Sequence, residues 1–103
     1  MRTRPAAVAG SFYPAAAAAL RAEVWAHLDD ALAETKPGAP KAVIAPHAGY
    51  IFSGPIAASA YARLRAQHGA IRRTVLLGPA HRVAVRGLAL PEADAFETPL
   101  GRV

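Results

Sequence analysis

Two short apolar runs without alternation, Ala42-Val43-Ile44-Ala45 and Thr74-Val75-Leu76-Leu77, flank a helical stretch, and each is cut off by proline or glycine shortly before a histidine. A continuous apolar run of this length is the pattern of a strand covered on both faces. Two such strands joined through a helix lie parallel, with a right-handed crossover. Between them Ser53, Gly54 and Pro55 supply a cap and first-turn residues for a helix reaching to about His68, with Ile56, Ala60, Tyr61 and Leu64 on its buried face and Gly69 closing it. The order strand, helix, strand predicts an α/β domain whose central, mostly parallel sheet is flanked by helices.

Ahead of this unit, residues 1–13 read as an extended or irregular arm punctuated by Gly10 and Pro14. From Pro14 to about Glu34, Leu20, Val24, Leu28 and Leu32 recur every fourth position, with Trp25 and Ala31 widening the stripe and Glu23, Asp30 and Glu34 opposite. This is an amphipathic helix, ended by Lys36-Pro37-Gly38. At 103 residues the chain has room for one domain, since domains run to about 100–200 residues. Of those residues 27 are alanine, which bury little surface each, so three Phe, one Trp and three Tyr must carry much of the packing.

Composition narrows the chemistry. The absence of cysteine excludes disulfides, thiol catalysis and cysteine-ligated zinc within the chain, leaving any metal to four histidines and seven carboxylates. The net charge of +5 comes from basic residues spread evenly, with no run longer than two, so the clustered footprint of a nucleic-acid binder is missing. The uncharged stretch Ala42–Ala62 spans 21 residues, but Pro46, His47, Gly49, Ser53, Gly54 and Pro55 break it, and it does not read as a membrane span. Pro5–Leu20 imitates a signal peptide only superficially, because Pro14 interrupts it and the helical pattern runs on through any cleavage point. A cytoplasmic protein without nucleic-acid or membrane partners is expected.

The strand order places two side chains together. His47 follows Ala45 by two residues and His81 follows Leu77 by four, so both leave the same edge of a parallel sheet, where ligands of open α/β folds collect. Two histidines converging on one crevice are a metal-ligand pair, or else loop-stabilising groups bonded to backbone carbonyls. The following helix points its N-terminus at the same crevice and favours an anion there. Tyr50 and Ser53 are candidates to contact a ligand; the bland alternatives are a packed aromatic and a helix cap. His27, on the border of the first helix's stripe, and His68, at the end of the second helix, read as structural. Glu92, Asp94 and Glu97 read as decoration of an exposed loop.

Further motifs run the length of the chain: Arg4-Pro5 with Ala7-Val8-Ala9-Gly10-Ser11-Phe12-Tyr13-Pro14, Ala45-Pro46-His47-Ala48-Gly49-Tyr50 with Ser53-Gly54, Leu76-Leu77-Gly78-Pro79-Ala80-His81, Gly87-Leu88-Ala89-Leu90-Pro91, and Thr98-Pro99-Leu100-Gly101. In this order they resemble the signatures of the Memo family, whose bacterial members are called AmmeMemoRadiSam system protein B. The resemblance implies a fold similar to class III extradiol ring-cleavage dioxygenases, with a non-haem metal at the carboxyl edge of the sheet. His47 and His81 match two metal-binding histidines of the family. The third ligand resembles a Cys in a Cys-Gly motif, which this chain lacks. Family members are more than twice as long, so residues 1–103 are expected to be the N-terminal portion of one incomplete Memo-like domain, truncated at the C-terminus and inactive alone.

Two functions follow from these readings. One is a metalloenzyme with Fe(II) or Cu held by His47, His81 and a third ligand from the missing half, performing dioxygenase-like redox chemistry. The other is a non-catalytic module that binds an anionic or aromatic small ligand or a peptide in the same crevice, or buffers metal. No spare histidine follows either strand to act as general base, which weighs against a ring-cleaving enzyme.

Overall fold

The computed structural model describes residues 1–34, 36 and 38–103. In chain order these form β1 (Thr3–Arg4), α1 (Ala17–Leu32), α2 (Tyr50–Tyr61) continued by a 3-10 helix (Ala62–Gln67), β2 (Ala95–Thr98) and β3 (Gly101–Arg102). The result is a small α/β arrangement of two packed helices and a three-stranded mixed sheet. β1 pairs parallel with β2, Thr3 opposite Ala95 and Arg4 opposite Phe96. β2 pairs antiparallel with β3, Glu97 opposite Arg102 and Thr98 opposite Gly101.

The sheet joins segments near the two ends of the chain, where the sequence suggests an irregular arm and a loop. The Arg2 backbone N–H donates to Asp94 Oδ2 at 2.8 Å and its guanidinium to Glu92 Oε2 at 2.9 Å, while the Arg4 guanidinium stands 5.8 Å from the Phe96 ring centroid. Glu92 and Asp94 therefore anchor the N-terminal strand, and Glu97 lies in a strand, exposed, rather than in a loop. In the closing turn, Thr98 Oγ1 donates to the Gly101 carbonyl and accepts from the Leu100 N–H.

α1 starts three residues after Pro14 and ends at Leu32; Pro37, expected at its stop, lies outside the described residues. Its N-cap is Ala16, with no side-chain cap bond and no acidic residue in the first turn. Alanine and leucine propensity helps it form, and packing on α2 holds it in place. Leu20 is buried, and Val24 and Leu28 are half-buried as the stripe predicts, whereas Leu32 is exposed.

α2 departs further from expectation. It begins at Tyr50 with Gly49 as N-cap, a full turn before Ser53. Its buried positions are Ser53, Gly54 and Ala58, followed by Ala62 at the start of the 3-10 helix, while Ile56 and Tyr61 are exposed. The segment Tyr50–Tyr61 carries no charge, so nothing in its pattern selects one face. Small residues win the contact because they let the helices approach. A Cβ on Gly54 would stand 2.8 Å from His27 Nε2, which explains glycine inside a helix despite its poor propensity.

The predicted central strands are corrected. Residues 42–45 and 74–77 form no ladder, and Ile44 and Leu76 are 97% and 82% exposed. The apolar runs describe side chains suited to cover on both faces, but a strand also needs neighbouring backbone to satisfy its N–H and C=O groups, and none adjoins either run among the described residues. No helix among the described residues is long and apolar enough to cross a membrane.

Candidate functional site

The two histidines singled out by spacing meet even though the strands expected to deliver them do not form. His47 Nε2 and His81 Nε2 are 3.0 Å apart, with ring centroids 5.2 Å apart and planes inclined by 36°. His47 precedes α2 by three residues and His81 follows the Gly78-Pro79 break, and both are exposed. At this separation one imidazole can donate its Nε2–H to the other, or both lone pairs can serve one electrophile. His27 and His68 stand apart: His27 packs on Gly54, and His68 caps the end of the 3-10 helix. Among the described residues no group of three or more His, Cys, Asp or Glu converges as a metal cage.

Around the pair lie two adjoining cavities. The smaller, about 470 Å³, is lined by Phe12, Pro46, His47, Ala48, Ser53 and His81. The larger, about 570 Å³, shares Phe12, His47 and Ser53 and extends between the helices to Tyr13, His27, Tyr50 and Tyr61. Both volumes are in the range of small-molecule sites.

Ser53 and Tyr50 therefore both border the site, though not in the roles their helix positions suggest. Ser53 is buried one turn inside α2, its N–H donating to the Gly49 carbonyl at 2.9 Å, so it is not the cap. Tyr50, the first residue of α2, is half-buried and its ring lies 5.8 Å from that of Tyr13. Burial pushes the Tyr50 phenol above its ordinary value, and the negative charge of Glu23 and the neighbouring Tyr13 and Tyr61 hydroxyls push it the same way.

Residue reading missed Phe12. The Tyr50 N–H donates to the Phe12 carbonyl at 2.7 Å, which fastens the N-terminal arm over the start of α2 and puts Phe12 on the wall of both cavities. That bond uses a first-turn donor of α2 that would otherwise be open to an anion. The arm makes the approach by turning at Gly10, whose φ of +87° and N–H bond to the Tyr13 carbonyl define a tight reversal. The available signal was Gly10 followed by two adjacent aromatics on a segment too apolar for an exposed arm.

Comparison with known proteins agrees with the motif reading. The sequence model described as "Memo-like protein" matches residues 4–103. Protein MEMO1 of Xenopus tropicalis is 40% identical over 97 residues, covering 94% of this chain and 31% of the relative. A MEMO1 family protein of Ignicoccus hospitalis is 41% identical over 111 residues, covering 100% of this chain and 39% of the relative. One from Methanothermobacter thermautotrophicus is 42% identical over 109 residues, covering 100% and 39%. This chain thus spans about a third of the length of these relatives. No solved structure matches it. With the family model covering nearly every residue, the chain belongs to the Memo-like protein family.

Proposed function

We propose that His47 and His81 are two ligands of a non-haem metal site taking Fe(II) or Cu, on a scaffold of the extradiol dioxygenase type, with Tyr50 and Ser53 on the ligand side of the crevice. The supporting observation is the 3.0 Å between the two Nε2 atoms. Metal–imidazole bonds of about 2.1 Å put two nitrogens roughly 3.4 Å apart at a tetrahedral angle and roughly 3.0 Å apart at a right angle, so the pair suits adjacent positions of a facial two-histidine set. The third ligand in this reading comes from the part of the family's length that this chain does not span, the Cys-Gly motif being the candidate.

Bound there, Fe(II) or Cu would supply redox chemistry toward dioxygen. The chain's own residues do the rest of the work. Phe12 and Pro46 line the histidine crevice with apolar surface that displaces water. Ser53, at the same wall, offers a hydroxyl that can orient a small anionic or aromatic ligand. Tyr50 lines the adjoining larger cavity, where its hydroxyl can donate to or accept from a ligand.

Anaerobic titration with Fe(II) and with Cu, followed by metal analysis, tests the assignment on the full chain and on its His47→Ala and His81→Ala variants. Each variant is expected to lose at least about tenfold in metal affinity. Equal uptake by all three proteins would overturn the proposal. Metal uptake without dioxygen consumption above that of the free ion, across catechol-like and anionic candidates, would favour the non-catalytic binding or metal-buffering role for the same crevice.

A further inference from the structure

The segment from residue 68 to residue 92 is exposed at every position, although it holds Val75, Leu76, Leu77, Leu88 and Leu90. Leu88 and Leu90 are 89% and 92% exposed, as bare as Ile44 on the other apolar run. The backbone is open as well. Among the described residues, neither 42–45 nor 71–93 makes a hydrogen bond from its backbone to other backbone. Folded chains rarely leave so much contiguous apolar side chain in water, and extended backbone with free N–H and C=O groups is a template on which another segment can pair.

We propose that residues 42–45 and 74–77 are the docking surface for polypeptide corresponding to the part of the family's length that this chain does not span, which adds strands to their open backbone and covers their side chains. The matches to the Ignicoccus hospitalis and Methanothermobacter thermautotrophicus relatives take in the whole of this chain, the bare runs included, but only 39% of each relative. More than half of each relative is therefore polypeptide that can lie over these runs. A second copy fits less well, because it would bring a chain of net charge +5 to a segment that already carries Arg72, Arg73, Arg82 and Arg86. A lipid surface fits less well too: residues 68–92 hold no helix or strand, so their unpaired backbone groups would enter hydrocarbon unsatisfied. Docking needs no metal and does not rest on the histidine assignment.

Co-expression of the tagged 103-residue chain with the part of each of these two relatives that lies outside the match, followed by purification in EDTA, tests the docking. A one-to-one complex is expected with at least one of them, and amide hydrogen exchange at residues 43–45 and 75–77 should slow at least about tenfold relative to the chain alone. Ile44→Asp and Leu76→Asp should each lower recovery of the complex at least about tenfold, while leaving the urea midpoint of the chain alone unchanged, since both side chains are exposed there. No complex with either partner, a complex in which exchange at both runs is unaltered, or full recovery by both variants would each overturn the proposal. So would a discrete dimer of the chain alone, or binding to phosphatidylserine vesicles, that protects these same amides when the added polypeptide does not. Because EDTA is present throughout, failure of the docking and failure of the metal site are read independently.

Discussion

His47 and His81 stand 34 positions apart in sequence and 3.0 Å apart between their Nε2 atoms, while the apolar runs before them share no backbone pairing. The contact is thus made by the two loops rather than by a sheet edge. Pro46 and the Gly78-Pro79 pair set where each run stops, and Phe12, Pro46, Ala48 and Ser53 form the wall around both rings.

Tyr50 gives the chain a signature at alkaline pH. Its folded pKa lies above the ordinary phenol value, so above that value the unfolded chain releases this proton first and binds fewer protons than the native state. The stability Tyr50 contributes is fully present below the unfolded pKa of about 10 and is lost as pH rises through the folded pKa. Spectrophotometric titration of tyrosinate should show a late component that Tyr50→Phe removes and Glu23→Gln moves to lower pH.

Gly54 and His27 should be energetically coupled. Gly54→Ala gains up to about 1 kcal/mol of helix propensity but sets a methyl 2.8 Å from His27 Nε2, an overpacking that costs about 1–3 kcal/mol. A net loss of about 1 kcal/mol is expected. With His27→Ala in the background the same change should stabilise by about 0.5–1 kcal/mol, because only the propensity gain remains. Urea denaturation of the four chains measures the cycle.

Arg65 ties the 3-10 helix to α1. Its guanidinium lies 4.6 Å from the Trp25 ring centroid and donates to Asp29 Oδ1 at 2.7 Å. Asp29 is largely exposed, so the ion pair itself adds little and the stacked ring carries most of the effect. Arg65→Ala should cost about 1 kcal/mol and shift Trp25 fluorescence, and Arg65→Lys should recover only part of it, since an ammonium lacks the planar fork.

Leu20 and Leu76 test where the core is. Leu20 is 4% exposed between the helices and Leu76 82% exposed. Leu20→Ala should cost about 2–4 kcal/mol. Leu76→Asp should stay within about 0.5 kcal/mol, while lowering binding of a hydrophobic dye and self-association, because it breaks an apolar surface run. Equal destabilisation by both would contradict this core.

The sequence alone determined that two helices form and which family the chain belongs to, because both are written in short-range chemistry: the recurrence of Leu20, Val24, Leu28 and Leu32 at every fourth position in α1, and the order of the motifs. The meeting of His47 and His81 was read from parallel strands that do not form, so the pair is right and its delivery is not. The face that the sequence marks as buried on α2, with Ile56 and Tyr61 inward, is not the one the structure buries, since a segment without charge has only a weakly preferred side until a neighbour arrives; Ser53, Gly54 and Ala58 face inward, with His27 close against Gly54. Nor could it say whether residues 42–45 and 74–77 pair, because a ladder depends on backbone supplied by other segments. Tertiary structure alone decided that Thr3–Arg4 pairs with Ala95–Thr98, that Phe12 folds over the start of α2, and that Tyr50 shares a cavity with Tyr13 and Tyr61. All three are contacts between distant parts of the chain, which local pattern does not encode.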